Sequence, residues 1–269
     1  DEIAQSPLTV AGNVPGNLLL VPSVEWPTLD SMANLGNYDV SRSYVGSFDP
    51  NKCYNYSYSA TEADRHFFPA STTATRACNN TLKQWSGNYL NWAATQTIDP
   101  FRKALTGGYR VRDTSTETWL EKARYDGNGS NSIFPNRRIP NTGNNSSLVQ
   151  GATPASWNDF TYRIWQLGNR MRFTSTGDLG SGTVTAYDPS VHTTLDAATV
   201  YEVSIRVKVC DSSVGVEANC VQYEGWKPEG LIQKYSARMR YSVFGYLNDH
   251  GVLRDGGVLR ARQKFVGRY

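Results

Sequence analysis

The chain has 269 residues, of which 39% are hydrophobic and 19% charged, with a formal net charge of +3 at pH 7. A chain of this length forms one large or two modest domains and buries roughly 70–75% of its unfolded surface, so it needs no metal to fold. Lys and Arg never form a run of about five or six, which argues against a nucleic-acid partner. The sequence contains no uninterrupted apolar stretch of about 18 residues, so no membrane span is predicted.

The start of the chain and its cysteines predict an exported protein. The first residues, DEIAQSPL, include neither a Met nor the core of a signal peptide, as expected for a mature exported chain or for an excised segment. Four cysteines, Cys53, Cys78, Cys210 and Cys220, lack the spacing of a zinc site. They allow three disulfide pairings, of which the sequence-local one joins Cys53 to Cys78 and Cys210 to Cys220. Four free thiols in a cytosolic protein are the alternative.

The first half of the chain predicts one buried strand and two helices. Leu18–Leu19–Leu20–Val21 has the form of a short central strand, and residues 36–80 have no clean periodicity and are expected to be a long loop region. Residues 81–96 carry a broad apolar face, as in a helix. A second helix is expected to begin at Asp99–Pro100 and to end at Gly107–Gly108, with Phe101, Ala104 and Leu105 facing inward.

The second half predicts a loop excursion followed by strands and helices. Residues 126–156 are turn and loop material, expected to be mobile, and 161–171 fit a short helix, followed by loop at 174–190. Residues 201–210 alternate strictly between apolar and polar, which predicts an antiparallel or edge strand with one wet face. A helix from Lys227 then leads into a buried strand at 240–247, the unit of an α/β sheet.

Two loops carry oxygen-bearing side chains that a hard cation could use. The loop after the first strand contains Ser23, Glu25, Thr28, Asp30 and Ser31. Residues 126–132, DGNGSNS, match the start of a calcium loop, but Asn131 and Arg137 stand where an EF-hand has Gly and a bidentate Glu. An ordinary turn is the favoured interpretation of the second loop.

No catalytic constellation emerges from the sequence. His66, His192 and His250 are far apart, and none accompanies a nucleophile motif or a pair of carboxylates suited to glycoside chemistry. The chain has seven Trp and sixteen Tyr, which suit both a core and a sugar-binding surface. Trp85 and Trp92 are expected in the core, and the role of the loop tryptophans is left open.

Several long phrases of the sequence, taken together, resemble a known family. They are VEWPT, YVGSFDPNKCYNYSY, SGNYLNWAATQTIDPFRKALTGGYRVRDT, TWLEKAR, VCDSSVGVEANC, YEGWKPEGLIQKY and FGYLNDHGVLRDGGVLRARQKFVG. They resemble the N-terminal region of PilY/PilC-type type IV pilus tip adhesins, over nearly the whole chain apart from residues 126–198.

The resemblance implies a fold and an arrangement of domains. It implies an α/β, von Willebrand factor A-like open sheet flanked by helices, as one domain over residues 1–269 with insertions at about 36–80 and 112–200. The C-terminal β-propeller of the family is absent from this chain. A von Willebrand-type magnesium site needs Asp-x-Ser-x-Ser after the first strand, but those places fall on Ser23, Glu25 and Pro27. The sequence therefore predicts that the metal site is lost.

The resemblance also implies a function without catalysis. We expect a non-enzymatic adhesin and assembly module of a pilus tip, without cofactor, that acts in pilus biogenesis, attachment and twitching motility. Expected partners are minor pilins and a host or abiotic surface, and the expected location is extracellular after export through the periplasm. The alternatives are a carbohydrate-binding module that uses Trp26 or Trp157 and, less favoured, a secreted hydrolase.

Overall fold

The computed structural model describes residues 15–22, 31–124, 134–165, 169–175, 178–180, 183–246 and 256–266. The chain divides into two compact units: a terminal unit, Asp1–Val24 with Leu231–Tyr269, and a central unit, Glu25–Gly230. The sequence predicts a single domain, in which both units would unfold together, and this remains a prediction.

The described residues form a mixed α/β protein with few helices and many short strands. The helices are α1 (Gly87–Ala94), α2 (Ile98–Thr106), α3 (Ser146–Ala152) and α4 (Leu231–Lys234). The strands are β1 (Gly16–Leu20), β2 (Lys52–Ser57), β3 (His66–Thr72), β4 (Trp85–Ser86), β5 (Arg110–Asp113), β6 (Thr118–Glu121), β7 (Arg137–Ile139), β8 (Phe160–Trp165), β9 (Arg170–Thr174), β10 (Val184–Ala186), β11 (Val200–Ser204), β12 (Arg206–Val209), β13 (Cys220–Gln222), β14 (Trp226–Pro228), β15 (Met239–Tyr246) and β16 (Gly257–Lys264).

The central unit contains two larger sheets and a hairpin. The six-stranded sheet has the order β4-β2-β3-β12-β6-β5, the five-stranded sheet has the order β10-β11-β9-β8-β7, and β13 pairs with β14. Only β12–β3 and β10–β11 are parallel among the described pairs of this unit. The α/β class is therefore confirmed, but the layout of the central unit is mainly antiparallel and differs from an open parallel sheet.

The strand predicted at 201–210 is divided between the two sheets. It breaks at Ile205 into β11, antiparallel to β9, and β12, antiparallel to β6. The predicted wet face is wrong, because Glu202, Ser204 and Arg206 are buried. Ion pairs with neighbouring strands compensate this burial: Glu202 binds two arginines of β9, and Arg206 binds Glu121 of β6.

The helix predicted at 161–171 is also wrong. The structure has instead β8 and β9, paired antiparallel from Thr161–Thr174 to Trp165–Arg170. Tyr162 and Ile164 point into the core on alternate positions of β8. Arg163 between them is buried as well, so burial alone does not show the alternation of a strand, and pairing with β9 decides the structure.

Trp85 occupies the centre of the core between the two larger sheets. Its ring lies 5.8 Å from Phe67 on β3, 6.0 Å from Phe160 on β8 and 5.3 Å from Phe173 on β9, measured between centroids. The side chain of Ser86 then accepts a hydrogen bond from the backbone of Tyr89 and caps α1. The predicted helix at 81–96 is thus shorter than expected, because Trp85 and Ser86 pair with β2 as a strand.

α2 begins two residues earlier than predicted, because its N-cap is Thr97 and not Asp99, and it ends as predicted. Gly107 adopts a left-handed conformation, and its backbone N–H donates to carbonyls of the last turn. Asp99 lies in the first turn and accepts hydrogen bonds from the backbone of Gln96 and of Ala123. The predicted inner face is wrong at Phe101, which is 62% exposed, and at Ala104, which is also exposed.

Two predicted loop regions contain ordered structure. Residues 36–80 include the antiparallel strands β2 and β3, which bring Tyr56 opposite Phe67. Of the predicted excursion at 126–156, the described part, 134–156, packs into the core through Phe134, Ile139 and Val149. The expectation that this whole stretch is mobile is therefore wrong.

The terminal unit has one three-stranded sheet of order β1-β15-β16. β1 pairs parallel with β15, and β15 pairs antiparallel with β16. The predicted strand at 240–247 and its place in one sheet with the first strand are confirmed. The predicted burial is not: Leu19 is 54% exposed, Val243 is half-buried, and β1 lies at an edge of the sheet instead of its centre.

Candidate functional site: a cleft between two disulfide loops

Two disulfides close loops on the central unit. Cys53 of β2 bonds to Cys78, and Cys210, directly after β12, bonds to Cys220 at the start of β13. This is the sequence-local pairing. Disulfides of this kind persist in oxidising compartments, which indicates export from the cytosol.

A buried lysine connects the two disulfide loops. Lys52, which precedes Cys53, donates from Nζ to the backbone carbonyl of Gly215 and to Glu217 Oε1, at 2.8 Å from the latter. The second oxygen of Glu217 accepts a 2.7 Å hydrogen bond from the backbone N–H of Cys210. The loop that Cys210 and Cys220 close is thereby attached to the start of β2.

An open cleft of about 430 Å³ lies beside this connection. It is lined by Asp49, Asn51, Lys52, Thr72, Thr73, Ala74, Val214, Gly215 and Val216. Hydroxyl, amide and backbone groups of this lining can hydrogen-bond a polar ligand or a peptide. The charge of Lys52 is balanced by Glu217, with Asp49 3.9 Å away. The lining contains no aromatic ring, so it differs from a sugar-stacking platform.

The one cluster of potential metal ligands among the described residues is Cys210, Glu217 and Cys220. Its two sulfur atoms belong to the disulfide, and only a thiolate is an effective ligand. This cluster therefore offers no metal site while the disulfide is intact. The loop with Ser23, Glu25 and Pro27 and the turn at 126–132 lie outside the described residues, so their predictions stand as made.

The two described histidines have structural partners. His66 stacks on Trp119 with 3.8 Å between ring centroids, its Nδ1 lies 2.9 Å from the carbonyl oxygen of Asp64, and burial lowers its pKa. His192 Nδ1 accepts a 2.9 Å hydrogen bond from the backbone of Asp188. His250 lies outside the described residues.

Most described tryptophans belong to the core or its edge. Trp85 and Trp92 are fully buried, as expected, and Trp119 and Trp157 are buried as well. Trp157 Nε1 donates to the carbonyl of Leu195 at 3.3 Å, which leaves it unsuited to a surface sugar platform. Trp165 lies between the guanidinium groups of Arg163 and Arg172, each 4.0 Å from the ring. Trp26 lies outside the described residues.

A buried network of charges, missed by the sequence analysis, runs through the same unit. Glu121 contacts Arg206 at 2.5 Å and Arg124 at 2.6 Å, and Arg206 also contacts Glu62 at 3.0 Å. Burial alone would raise the pKa of Glu62, but hydrogen bonds from Arg206 and Ser204 lower it. In the sequence, the only indication of this network is the set of polar residues at alternate positions of 201–210. The alternation predicts that these residues lie on a solvent-exposed face of a strand.

Comparison with known proteins finds one matching family and two named relatives. A family described as PilY1 homolog, small alpha/beta domain, matches residues 36–163. A type IV pilus biogenesis factor PilY1 homolog of Xylella fastidiosa strain Temecula1 is 54% identical over 99% of this chain. A second protein of that name and organism is 25% identical over 86% of the chain. No solved structure matches.

The chain spans about a fifth of the length of these relatives, 22% of the first and 17% of the second. Among the described residues, no helix has the length and apolar character needed to cross a bilayer. The resemblance found in the sequence is confirmed, and the chain belongs to the PilY1-type family of type IV pilus biogenesis factors.

Proposed function

We propose that this chain is a non-enzymatic adhesion and assembly module of a type IV pilus. The observation that carries the proposal is the 54% identity, over 99% of the chain, to a protein named as a pilus biogenesis factor. The disulfide-closed loops and the cleft beside them suit a contact surface, and His66 and His192 both have structural partners.

The proposal places the module at the pilus tip. It reaches the cell exterior through the periplasm, where its disulfides form. There it contacts minor pilins during assembly and a host or abiotic surface during attachment, and it supports twitching motility. Neither nucleic acid nor a cofactor takes part.

The finer fold is proposed with the function. We infer that the chain is an N-terminal adhesin region to which a β-propeller is added in the complete protein. We place the von Willebrand factor A-like element in the terminal unit. Support comes from its parallel β1–β15 pair, in which a short helix, α4, directly precedes β15 as in an α/β sheet.

A matched pair of variants tests the role of the cleft. Ala74 lines the cleft and Thr75, its exposed neighbour, does not. Ala74→Arg should fill the cleft, whereas Thr75→Arg adds the same side chain outside it. Introduced into the chromosomal gene of a piliated bacterium, the first variant should reduce surface attachment or twitching zones, and the second should not.

Deletion of residues 36–230 from the same gene tests the wider role. We expect fewer surface pili in sheared fractions and loss of twitching. Normal piliation, twitching and attachment in the deletion strain would overturn the proposed function. Equal behaviour of the two Arg variants, in a strain where the deletion is defective, would remove only the cleft from the proposal.

The carbohydrate-binding alternative is weakened at one of its two named residues. Trp157 is buried and hydrogen-bonded, so it cannot stack on a sugar without moving out of the core. A glycan array with the purified chain separates this alternative from the main proposal. Saturable binding of a defined glycan, lost on substitution of Trp26, would restore it.

A further inference from the structure

The terminal unit exposes apolar side chains on both faces of its edge strand. In β1 and the residue that follows, Leu18 is 36%, Leu19 54% and Val21 45% exposed. Successive residues of a strand point to opposite faces, so among the described residues this strand exposes apolar side chains on both of its faces. The strand contains no charged residue and no proline, which are devices that protect natural sheet edges from further pairing.

The opposite edge of the sheet carries such protection. β16 contains Arg260, Arg262 and Lys264, and charged side chains discourage the addition of a further strand. The two edges of one sheet therefore differ: the β1 edge is neutral and apolar, and the β16 edge is basic. This difference singles out the β1 edge as the one open to pairing.

The unit as a whole combines apolar exposure with positive charge. Its described residues include six Lys and Arg and no Asp or Glu. Leu231 and Tyr235, at and after the short helix α4, are exposed as well, as is Leu259 on β16. On the central strand β15, by contrast, Tyr241 and Ser242 are buried, so these exposed apolar side chains lie on or beside the edge strands and α4.

We propose that the β1 edge, with the exposed apolar side chains of β1 and Val21, is a docking surface for further polypeptide of the same protein, which adds a strand beside β1 and covers these side chains. The edge favours protein over a membrane, because only a strand supplies partners for the backbone N–H and C=O groups of β1 that face away from β15 and pair with no described strand. Basic charge on the unit favours a segment rich in Asp and Glu.

The length of the relatives identifies the source of this segment. This chain spans only 22% and 17% of the two relatives, so most of such a protein is available to complete the sheet. A segment of the same polypeptide is also held at high effective concentration, and so has an advantage over a separate partner. The inference rests on family membership and does not depend on a role in adhesion.

A single introduced thiol reports the docking. All four native cysteines are in disulfides, so Leu19→Cys adds one accessible thiol to this chain. Leu35→Cys, at a residue of the central unit that is 79% exposed, is the matched control. Both variants are made in the 269-residue chain and in the complete gene product, and maleimide labelling at each site is followed by peptide mass spectrometry.

We expect position 19 to react at least tenfold more slowly in the complete gene product than in the 269-residue chain, and position 35 to react equally in both. Equal reaction at position 19 would overturn the proposal. Protection within the 269-residue chain that rises with its concentration would assign the surface to a second copy instead. Protection that requires added minor pilin, or vesicles with anionic phospholipid, would assign it to those partners and overturn the proposal as well.

Hydrogen exchange on the unsubstituted proteins gives an independent measurement. Alternate backbone amides of β1 point away from β15, and these should exchange at least tenfold more slowly in the complete gene product. Unchanged exchange at residues 16–20 would count against strand addition even if thiol protection were observed. This measurement fails or succeeds independently of piliation and twitching.

Discussion

Glu121 Oε2 lies 2.5 Å from Arg206 Nε, and both side chains are almost completely buried. The two residues are direct cross-strand partners in β6 and β12. Removing one member of a buried pair leaves an uncompensated charge, so Arg206→Met should lower the free energy of unfolding by about 3–5 kcal/mol.

The control for this prediction is the double variant Glu121→Leu/Arg206→Met. It removes both charges and should be less destabilised than Arg206→Met alone, although Arg124 and Glu62 then lose a partner. Urea unfolding followed by tryptophan fluorescence measures the double variant and the two single variants, Arg206→Met and Glu121→Leu. A double variant that loses the sum of the two single effects would show that the pair is not coupled.

Lys122 should make stability depend on alkaline pH. Burial lowers the pKa of Lys122 to about 8, although the Asp99 and Glu121 carboxylates oppose this shift. Its Nζ donates to Gln96 Oε1 and to the backbone carbonyl of Ala123. Between pH 8 and the ordinary lysine value of 10.5, the unfolded chain holds a proton that the folded chain lacks. The free energy of unfolding therefore rises with pH in this window.

The measurement compares the parent with Lys122→Met. Relative to the variant, the parent should gain about 2 kcal/mol between pH 7.5 and 10. Buried tyrosines, whose pKa values are raised, act in the opposite direction near pH 10, but they are common to both proteins and cancel in the difference. A constant difference across this range would contradict the prediction.

The two disulfides should differ in their contribution to stability. The Cys53–Cys78 link spans 25 residues and the Cys210–Cys220 link spans 10. Loop closure in the unfolded chain then predicts losses of roughly 3–4 and roughly 2–3 kcal/mol for the paired Ser variants. Digestion without reductant, followed by mass analysis, should recover these two linked peptides. A peptide that joins Cys53 to Cys220 would refute the pairing.

Trp85 and Phe101 form a matched pair of aromatic truncations. Trp85→Ala removes the ring at the centre of the core and should cost about 3–5 kcal/mol. Phe101→Ala removes a mainly exposed ring from α2 and should change stability by less than about 0.5 kcal/mol. Thermal melts decide the outcome, and a large loss at Phe101 would mean that this face of α2 is covered in solution.

The sequence predicts local structure correctly where the type of one residue, or of a few neighbouring residues, determines that structure. Gly107 ends α2 because a left-handed residue is needed there, and the apolar run at 240–247 forms β15. Trp85 and Trp92 were assigned to the core because they fall on an apolar face. These features depend on a few neighbouring residues, which the sequence shows directly.

Features that depend on distant partners were missed. Arg206 and Glu202 are buried because Glu121, Arg170 and Arg172 meet them across neighbouring strands, and no local pattern encodes that meeting. The cleft could not be foreseen for the same reason, since residues near 50, 73 and 215 build it. Periodicity reports which side of an element is apolar, and it does not report which charges find a partner.

The disulfides set a limit on how far the central unit can be extended under a pulling load. When the protein is stretched between its ends, the residues between Cys53 and Cys78 and between Cys210 and Cys220 cannot unravel. At about 3.3–3.6 Å per residue, the two disulfides remove roughly 80 and roughly 30 Å from the contour length that can be extended. A force-extension trace of the oxidised protein should therefore be shorter by roughly 110 Å than that of the reduced protein. Under tension, the oxidised protein is therefore a shorter and stiffer tether than the reduced one.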